Sequence, residues 1–138
     1  MSVALITGGQ QGIGLGIASA LVAAGFSVAL AAEVDPASPA VREALAALGE
    51  NARYFRHDVR DIHAVPALLD AVEAELGPLT TFVSNAGVGA PVRGDMLDLA
   101  PKNFDFVLSV NLRGAFFLAQ QAATRMLKHQ AGYRSIVF

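Results

Sequence analysis

The segment LITGGQQGIG, residues 5–14, joins an apolar run to a helical pattern through four glycines. The run, Val3–Ile6, is continuously hydrophobic, as is typical of a strand buried on both faces of a sheet, and the predicted strand extends to Thr7. From Gly12 onward the apolar residues recur at helical spacing. Because glycine permits close contacts that a Cβ would exclude, the turn is predicted to lie against another group.

Strand and helix patterns alternate along the rest of the chain. Strands are predicted at 3–7, 27–32, 52–55, 80–84 and from 135, and helices at 12–24, about 41–48, 62–76 and 101–130. A break in the last helix is predicted near Asn111 or Arg113–Gly114. This regular alternation predicts one α/β domain over residues 1–138, a doubly wound parallel sheet with helices on both faces.

The composition narrows the classes of function. The chain has 138 residues, 54% hydrophobic, with a formal net charge of −2 and no cysteine. We expect no nucleic-acid partner, since a weakly acidic chain lacks a basic face. We expect no membrane span, because glycines and glutamines interrupt the uncharged N-terminal stretch before it reaches ~18 apolar residues. The three histidines do not pair at metal-ligand spacing, so no metal site is predicted and each is expected at the surface or in a cap.

A phosphate-binding loop is the leading interpretation of the glycine cluster. A P-loop needs a lysine where this chain has Leu15. The pattern G-x-G-x-x-G/A begins at Gly12 but lacks a small residue at its last position. Only T-G-x-x-x-G-x-G is satisfied in full, by Thr7, Gly8, Gly12 and Gly14. Amides at a helix N-terminus would then hold a phosphate; a plain strand–helix turn is the alternative.

Three further segments complete a family resemblance. They are HDV at 57–59, SNAG at 84–87 and VNLRGAF at 110–116, which follow TGGQQGIG at 7–14 in order. Over its whole length the sequence resembles the short-chain dehydrogenases/reductases, and most closely the 3-oxoacyl-carrier-protein reductase-like members. The resemblance implies a Rossmann-type fold, an NAD or NADP cofactor, and hydride transfer to or from a small ketone or secondary alcohol. It also implies a cytoplasmic protein that forms a homodimer or homotetramer.

The resemblance assigns cofactor contacts to the loop and to the end of the third strand. Gln10, Gln11 and Ile13 would contact the adenosine ribose and the pyrophosphate, although the glutamines are equally explained as solvated loop residues. Asp58 would accept a hydrogen bond from the adenine amino group, helped by the backbone of Val59. A helix cap is the alternative use of the Asp58 carboxylate.

The two later motifs contribute further cofactor contacts by the same resemblance. Asn85 would brace neighbouring strands, or serve only as a turn residue. Ala86 and Gly87 would let the cofactor lie against the chain, and Val110 would contact the adenosine.

The end of the second strand bears on the choice between NAD and NADP. Family members that use NAD commonly carry an aspartate where this chain has Ala32. Glu33 follows directly and is predicted to accept from the ribose 2′-hydroxyl, a solvated carboxylate being the alternative. No basic residue lies between Met1 and Ala40, which favours NAD(H) over NADP(H).

The catalytic residues of the family are only partly matched. Asn111 matches the first member of the Asn-Ser-Tyr-Lys set, whose backbone carbonyl holds a water in the proton relay; a cap between two helices is the alternative. Tyr133 is followed four residues later by Val137 rather than by lysine. We therefore expect an N-terminal portion of a longer enzyme, inactive alone. A non-catalytic dinucleotide-binding sensor or scaffold of the same fold is the alternative.

The last predicted helix is apolar on more than one side. Leu112 and Phe116 lie on one side, and Phe117 and Leu118 lie elsewhere. A helix that is apolar all round is expected to be buried, here against a partner subunit or within a longer chain.

Overall fold

A computed structural model describes residues 1–130 and 132–138. Its strands are β1 (Val3–Thr7), β2 (Ser27–Ala32), β3 (Ala52–Arg56), β4 (Thr81–Val83) and β5 (Ser135–Val137). Its α-helices are α1 (Gly12–Ala23), α2 (Pro39–Leu48), α3 (Val65–Leu76), α4 (Pro101–Leu108) and α5 (Ala115–Leu127). A π-helical segment, Ser109–Gly114, joins α4 to α5, and 3₁₀ turns lie at Gly49–Asn51, Ile62–Ala64 and Met96–Asp98.

The five strands form one parallel sheet in the order β3-β2-β1-β4-β5. The central strand is β1, where Leu5 lies between Ala29 of β2 and Phe82 of β4. The chain order reverses between β1 and β4, and open α/β sheets bind ligands at such a switch point. The predicted doubly wound parallel sheet is confirmed.

Both faces of β1 are buried, which explains its continuous hydrophobicity. Val3 and Leu5 face a core built with α3 and α5, whereas Ala4 and Ile6 face a core built with α1 and α2. Because successive side chains of a strand alternate between faces, every residue of β1 must suit a core.

Beyond the sheet, the ends of β1 and β4 are joined by Thr7 and Asn85. The Thr7 hydroxyl oxygen accepts from the backbone N–H groups of Asn85 and Ala86, each at 3.0 Å. In return, Asn85 Nδ2 donates to the carbonyls of Thr7 and Gly8 at 3.0 and 3.3 Å. These bonds hold the two segments together where the β-ladder stops.

The π-helical segment packs directly on the connection between β3 and α3. A Cβ added at Gly114 would collide with the Val59 carbonyl oxygen and lie 2.9 Å from its carbon and 3.0 Å from the Ser109 oxygen. Gly114 therefore sets how closely the helices after β4 approach the end of β3.

We expect Gly114→Ala to lower the free energy of unfolding by about 1–3 kcal/mol, because the backbone must move to admit the methyl group. Gly16→Ala in α1 is the control, since apart from its own helix no described residue has an atom within 4 Å of the added Cβ. The control should be neutral or gain about 0.5–1 kcal/mol through helix propensity. Urea unfolding followed by circular dichroism measures both, and a Gly114→Ala protein as stable as the parent would contradict the prediction.

Thr7→Val should lower the free energy of unfolding by about 1–3 kcal/mol, because two backbone N–H groups lose their acceptor. Thr7→Ser keeps the hydroxyl and removes one buried methyl group, so its loss should be smaller, about 0.8 kcal/mol. The same denaturation measurement ranks the two variants. Equal losses would show that the hydroxyl does not hold β1 to β4.

Candidate functional site

A cavity of about 450 Å³ opens at the carboxyl ends of β1, β2, β3 and β4. The β1–α1 loop forms one wall, and Phe106 of α4 and Val110 of the π-helical segment contribute to its lining. Every residue predicted to bind the cofactor lines it except Gly14. Those on the wall are Gly8, Gln10, Gln11, Gly12, Ile13, Glu33, Asp58, Val59, Asn85, Ala86, Gly87 and Val110.

The N-terminus of α1 meets this cavity without a side-chain cap. The helix begins at Gly12, whose φ is +55°, and within the described chain Gln11 makes no capping hydrogen bond. The first turn contains no acidic residue, and Ile13 is exposed. Amides of a first helical turn lack intrahelical partners, and the helix dipole favours an anion beside them. This end of the cavity is suited to a phosphate group.

Gly14 lies beneath the loop rather than on the cavity wall. A Cβ there would collide with the Gly8 carbonyl oxygen and lie 2.6 Å from Asn85 Nδ2. A Cβ at Gly8 would lie 3.1 Å from the same nitrogen. The atoms nearest to these two glycines therefore belong to the protein's own β1–α1 loop and to the segment after β4, and the role of Gly14 in cofactor binding stays a prediction.

The two glutamines of the loop have different environments. Gln11 is exposed, whereas Gln10 is buried. Among the described residues the Gln10 Oε1 atom has no hydrogen-bond partner. A buried acceptor without a donor calls for an explanation, and Gln10 lines the cavity.

A tyrosine fixes the turn that follows β2. The Tyr54 hydroxyl oxygen lies 2.9 Å from the Ala32 carbonyl oxygen and 2.6 Å from that of Val34, so its one hydrogen is shared between the two acceptors. Burial raises the pKa of Tyr54 above its ordinary value, so the hydroxyl stays protonated as a donor. The turn holds Glu33 at the cavity rim, where it is exposed.

Two arginines from beyond β2 approach Glu33. Arg56 Nε donates to the Glu33 carbonyl at 3.0 Å, and the pKa of Arg60 is raised chiefly by the hydrogen bond to Asp58 and, to a smaller extent, by the charge of Glu33. The sequence argument for NAD considered basic residues only up to Ala40 and so left out Arg56 and Arg60. These two arginines lie at the rim because β3 pairs with β2 and ends beside it.

Asp58 is held by Arg60, two residues along the chain. Oδ1 accepts from the Arg60 backbone N–H at 2.9 Å, and the guanidinium reaches both oxygens, with Nη2 2.7 Å from Oδ2. The hydrogen bond from the Arg60 side chain is the main reason that the pKa of Asp58 is lowered, and burial opposes it. The helix cap belongs instead to Asp61, whose Oδ1 accepts from the Ala64 N–H at 3.2 Å.

His57 is buried, so the prediction of a surface or capping histidine is wrong at this position. Burial lowers its pKa below the ordinary value, against the opposing charges of Asp61 and Asp58. Sequence reasoning missed it as a wall residue, together with Ala31, Ala32, Val34, Arg60, Val88 and Phe106. Most of these are neighbours in sequence of a predicted wall residue, which is the signal that would have found them.

Asn111 lies outside the cavity wall, on the π-helical segment. Its Oδ1 accepts from the Val88 N–H and its Nδ2 donates to the Val88 carbonyl, both at 2.8 Å. The side chain thus pins the loop after β4 to the predicted break in the helix.

No helix within residues 1–130 and 132–138 combines the length and the hydrophobicity needed to span a membrane. In that same described part of the chain, histidine, aspartate and glutamate side chains do not gather in threes that could hold a metal ion.

The sequence matches the short chain dehydrogenase family over residues 2–138. A 2-dehydro-3-deoxy-D-gluconate 5-dehydrogenase from Escherichia coli strain K12 is 34% identical over 97% of this chain and 51% of its own length. A D-threitol dehydrogenase from Mycolicibacterium smegmatis is 38% identical over 94% of this chain and 49% of its own length. The chain spans about half the length of the curated relatives it matches.

Solved structures share the fold. A 3-oxoacyl-[acyl-carrier protein] reductase from Brucella melitensis, crystallised in complex with NAD, superposes with a TM-score of 0.88 and 40% identity. The alignment covers 98% of this chain and 53% of the reductase chain. With the family match over residues 2–138, this likeness shows that the chain belongs to the short-chain dehydrogenase family.

Proposed function

We propose that residues 1–138 form the nucleotide-binding domain of a cytoplasmic NAD(P)-dependent oxidoreductase. The whole protein would transfer hydride between the nicotinamide ring and a small ketone or secondary alcohol. The observation that carries the proposal is the cavity at the sheet's switch point, where an uncapped helix N-terminus and a carboxylate line the same wall.

The pyrophosphate is assigned to the start of α1. The backbone N–H groups of Gly12, Ile13 and Gly14 belong to the uncapped first turn and would donate to phosphate oxygens. The side chains of Gln10 and Gln11 would add polar contacts to the adenosine ribose. The buried, unpaired Oε1 of Gln10 supports this assignment, since a ribose hydroxyl would supply a donor.

The adenosine is assigned to the rim between β3 and the π-helical segment. Asp58 would accept from the adenine amino group beside the Val59 backbone, and Val110 would contact the adenosine. Ala86 and Gly87 would lie along the other side of the cofactor, held there by the Thr7–Asn85 bonds.

The cofactor supplies the hydride; this chain's residues bind and orient it. Asn111 would contribute a backbone carbonyl to a proton relay, and its side chain already fixes the segment through Val88. Neither Tyr54 nor Tyr133 is followed by a lysine four residues later, as the family's Tyr-x-x-x-Lys requires. We therefore expect cofactor binding without turnover from this portion alone.

We expect NADH to bind more tightly than NADPH, because the Glu33 carboxylate accepts from a 2′-hydroxyl and repels a 2′-phosphate. Glu33→Gln should narrow the NADH-to-NADPH affinity ratio by about tenfold, as expected for losing a hydrogen bond to a charged group. Glu43→Gln, which removes the same charge at an exposed position of α2, is the control. Calorimetric titration with both nucleotides measures the ratio.

Tighter binding of NADPH by the parent chain would overturn the preference for NAD and implicate Arg56 and Arg60. Binding of neither nucleotide would overturn the proposed function.

A stripe of exposed apolar side chains supports self-association. Phe104, Leu108, Leu112 and Phe116 recur at four-residue intervals along α4, the π-helical segment and α5, and each is between 36% and 60% exposed. Leu112 and Phe116 are thus not covered by this chain itself, and their burial against a partner subunit or within a longer chain stays a prediction. The buried face of α5 is instead formed by Leu118, Ala119, Ala122 and Met126.

We propose that a second copy of the protein covers this stripe, giving a dimer or tetramer. An apolar face of this length is unusual on a monomer and typical of an interface between subunits. Leu112→Glu should shift the protein to monomer, because a charge would be buried at the interface without a partner. Leu97→Glu, an equally drastic change at an exposed position of a 3₁₀ turn, should not. Sedimentation velocity distinguishes the outcomes, and a parent protein that is monomeric at all concentrations would contradict the proposal.

A further inference from the structure

We propose that Arg60 is a positioning residue for the nucleotide site, which holds the Asp58 carboxylate in the orientation that accepts the 6-amino group of adenine. The inference rests on the proposed function and deepens it. Arg60 belongs to none of the predicted contacts, yet it lies on the cavity wall beside Asp58.

The contacts fix the plane of the carboxylate. Arg60 Nε lies 3.1 Å from each carboxylate oxygen, Nη2 lies 2.7 Å from Oδ2, and the backbone N–H lies 2.9 Å from Oδ1. A carboxylate has about four acceptor positions, and these contacts use three hydrogens because Nε–H is shared. Asp58 is therefore oriented by Arg60 without being saturated, and it can accept one more N–H.

The guanidinium is itself held in place. Its carbon lies 5.3 Å from the centre of the Phe106 ring, which belongs to α4 and also lines the cavity. A cation over an aromatic face is attracted to it, and arginine can stack there while donating in its own plane. Arg60 thus connects the β3–α3 segment with α4 on the cavity wall, at the end proposed for adenine.

The negative charge of the Asp58 carboxylate discriminates between bases by the group at position 6. Asp58 is ionised at neutral pH, and the hydrogen bond from the Arg60 side chain lowers its pKa further, so the carboxylate only accepts hydrogen bonds. An ionised acceptor suits the amino group at position 6 of adenine and opposes the carbonyl oxygen that hypoxanthine carries there. A mispositioned or protonated Asp58 would lose this discrimination.

The test compares NADH with its hypoxanthine analogue, reduced nicotinamide hypoxanthine dinucleotide, in calorimetric titrations of the full chain. The parent should bind NADH more tightly. Arg60→Gln should weaken NADH about tenfold and change the affinity for the analogue less than about twofold. Arg53→Gln removes an exposed arginine from the far end of β3 and should leave both affinities unchanged.

Two further variants keep the test decisive if Arg60→Gln is unstable or acts through another residue. Arg60→Lys keeps the charge but cannot donate in the bidentate geometry, so it should give an intermediate loss confined to NADH. If Arg60→Gln fails to fold, this variant carries the comparison. In an Asp58→Asn background, Arg60→Gln should no longer alter the NADH-to-analogue ratio.

Equal weakening of both nucleotides, or no change in either, would overturn the inference while leaving the proposed function standing. If the parent chain binds neither nucleotide, the proposed function fails and the inference falls with it.

Discussion

Asn85 donates its side-chain amide to the carbonyls of Thr7 and Gly8, and this contact holds the two halves of the sheet together where the cavity opens. It exists only because Gly14 has no Cβ, since that atom would lie 2.6 Å from the Asn85 nitrogen. Thr7 completes the contact by accepting from two amides after β4. The close approach of the β1–α1 loop and the segment after β4 therefore depends on the protein's own residues, and both segments line the cavity.

The cavity that results is polarised along its length. The first-turn amides of α1 offer donors at one end, whereas Glu33 and Asp58 offer acceptors at the rim formed by β2 and β3. A dinucleotide has the complementary order, an anionic centre with hydroxyl and amino donors on the adenosine side. Arg56 and Arg60 bring positive charge to the same rim, so we expect hydrogen-bond geometry to matter there as well as charge.

Local patterns predicted the elements because β1, β2 and β4 are buried on both faces and glycines end several helices. The bounds of β1 and β2 agree with their apolar runs, and Gly25, Gly49 and Gly77 all have positive φ just beyond α1, α2 and α3. Placement between elements was harder to predict. The burial of His57 and the approach of Arg56 to Glu33 depend on the pairing of β3 with β2. Periodicity marks an apolar face but does not say what covers it, so the sequence left a partner subunit and a longer chain as alternatives for Leu112 and Phe116.

The π-helical segment connects the cavity to that exposed stripe. Within its six residues Val110 lines the cavity, Asn111 holds Val88, Gly114 packs on Val59, and Leu112 lies on the stripe. A regular α-helical turn gives way here to a wider one, a feature frequent at functional sites. Because one turn carries all four contacts, a subunit on the stripe and a nucleotide in the cavity would constrain the same backbone. If binding of the subunit shifted that turn, the free energy of nucleotide binding would change as well. The same holds in the opposite direction, because such coupling is reciprocal.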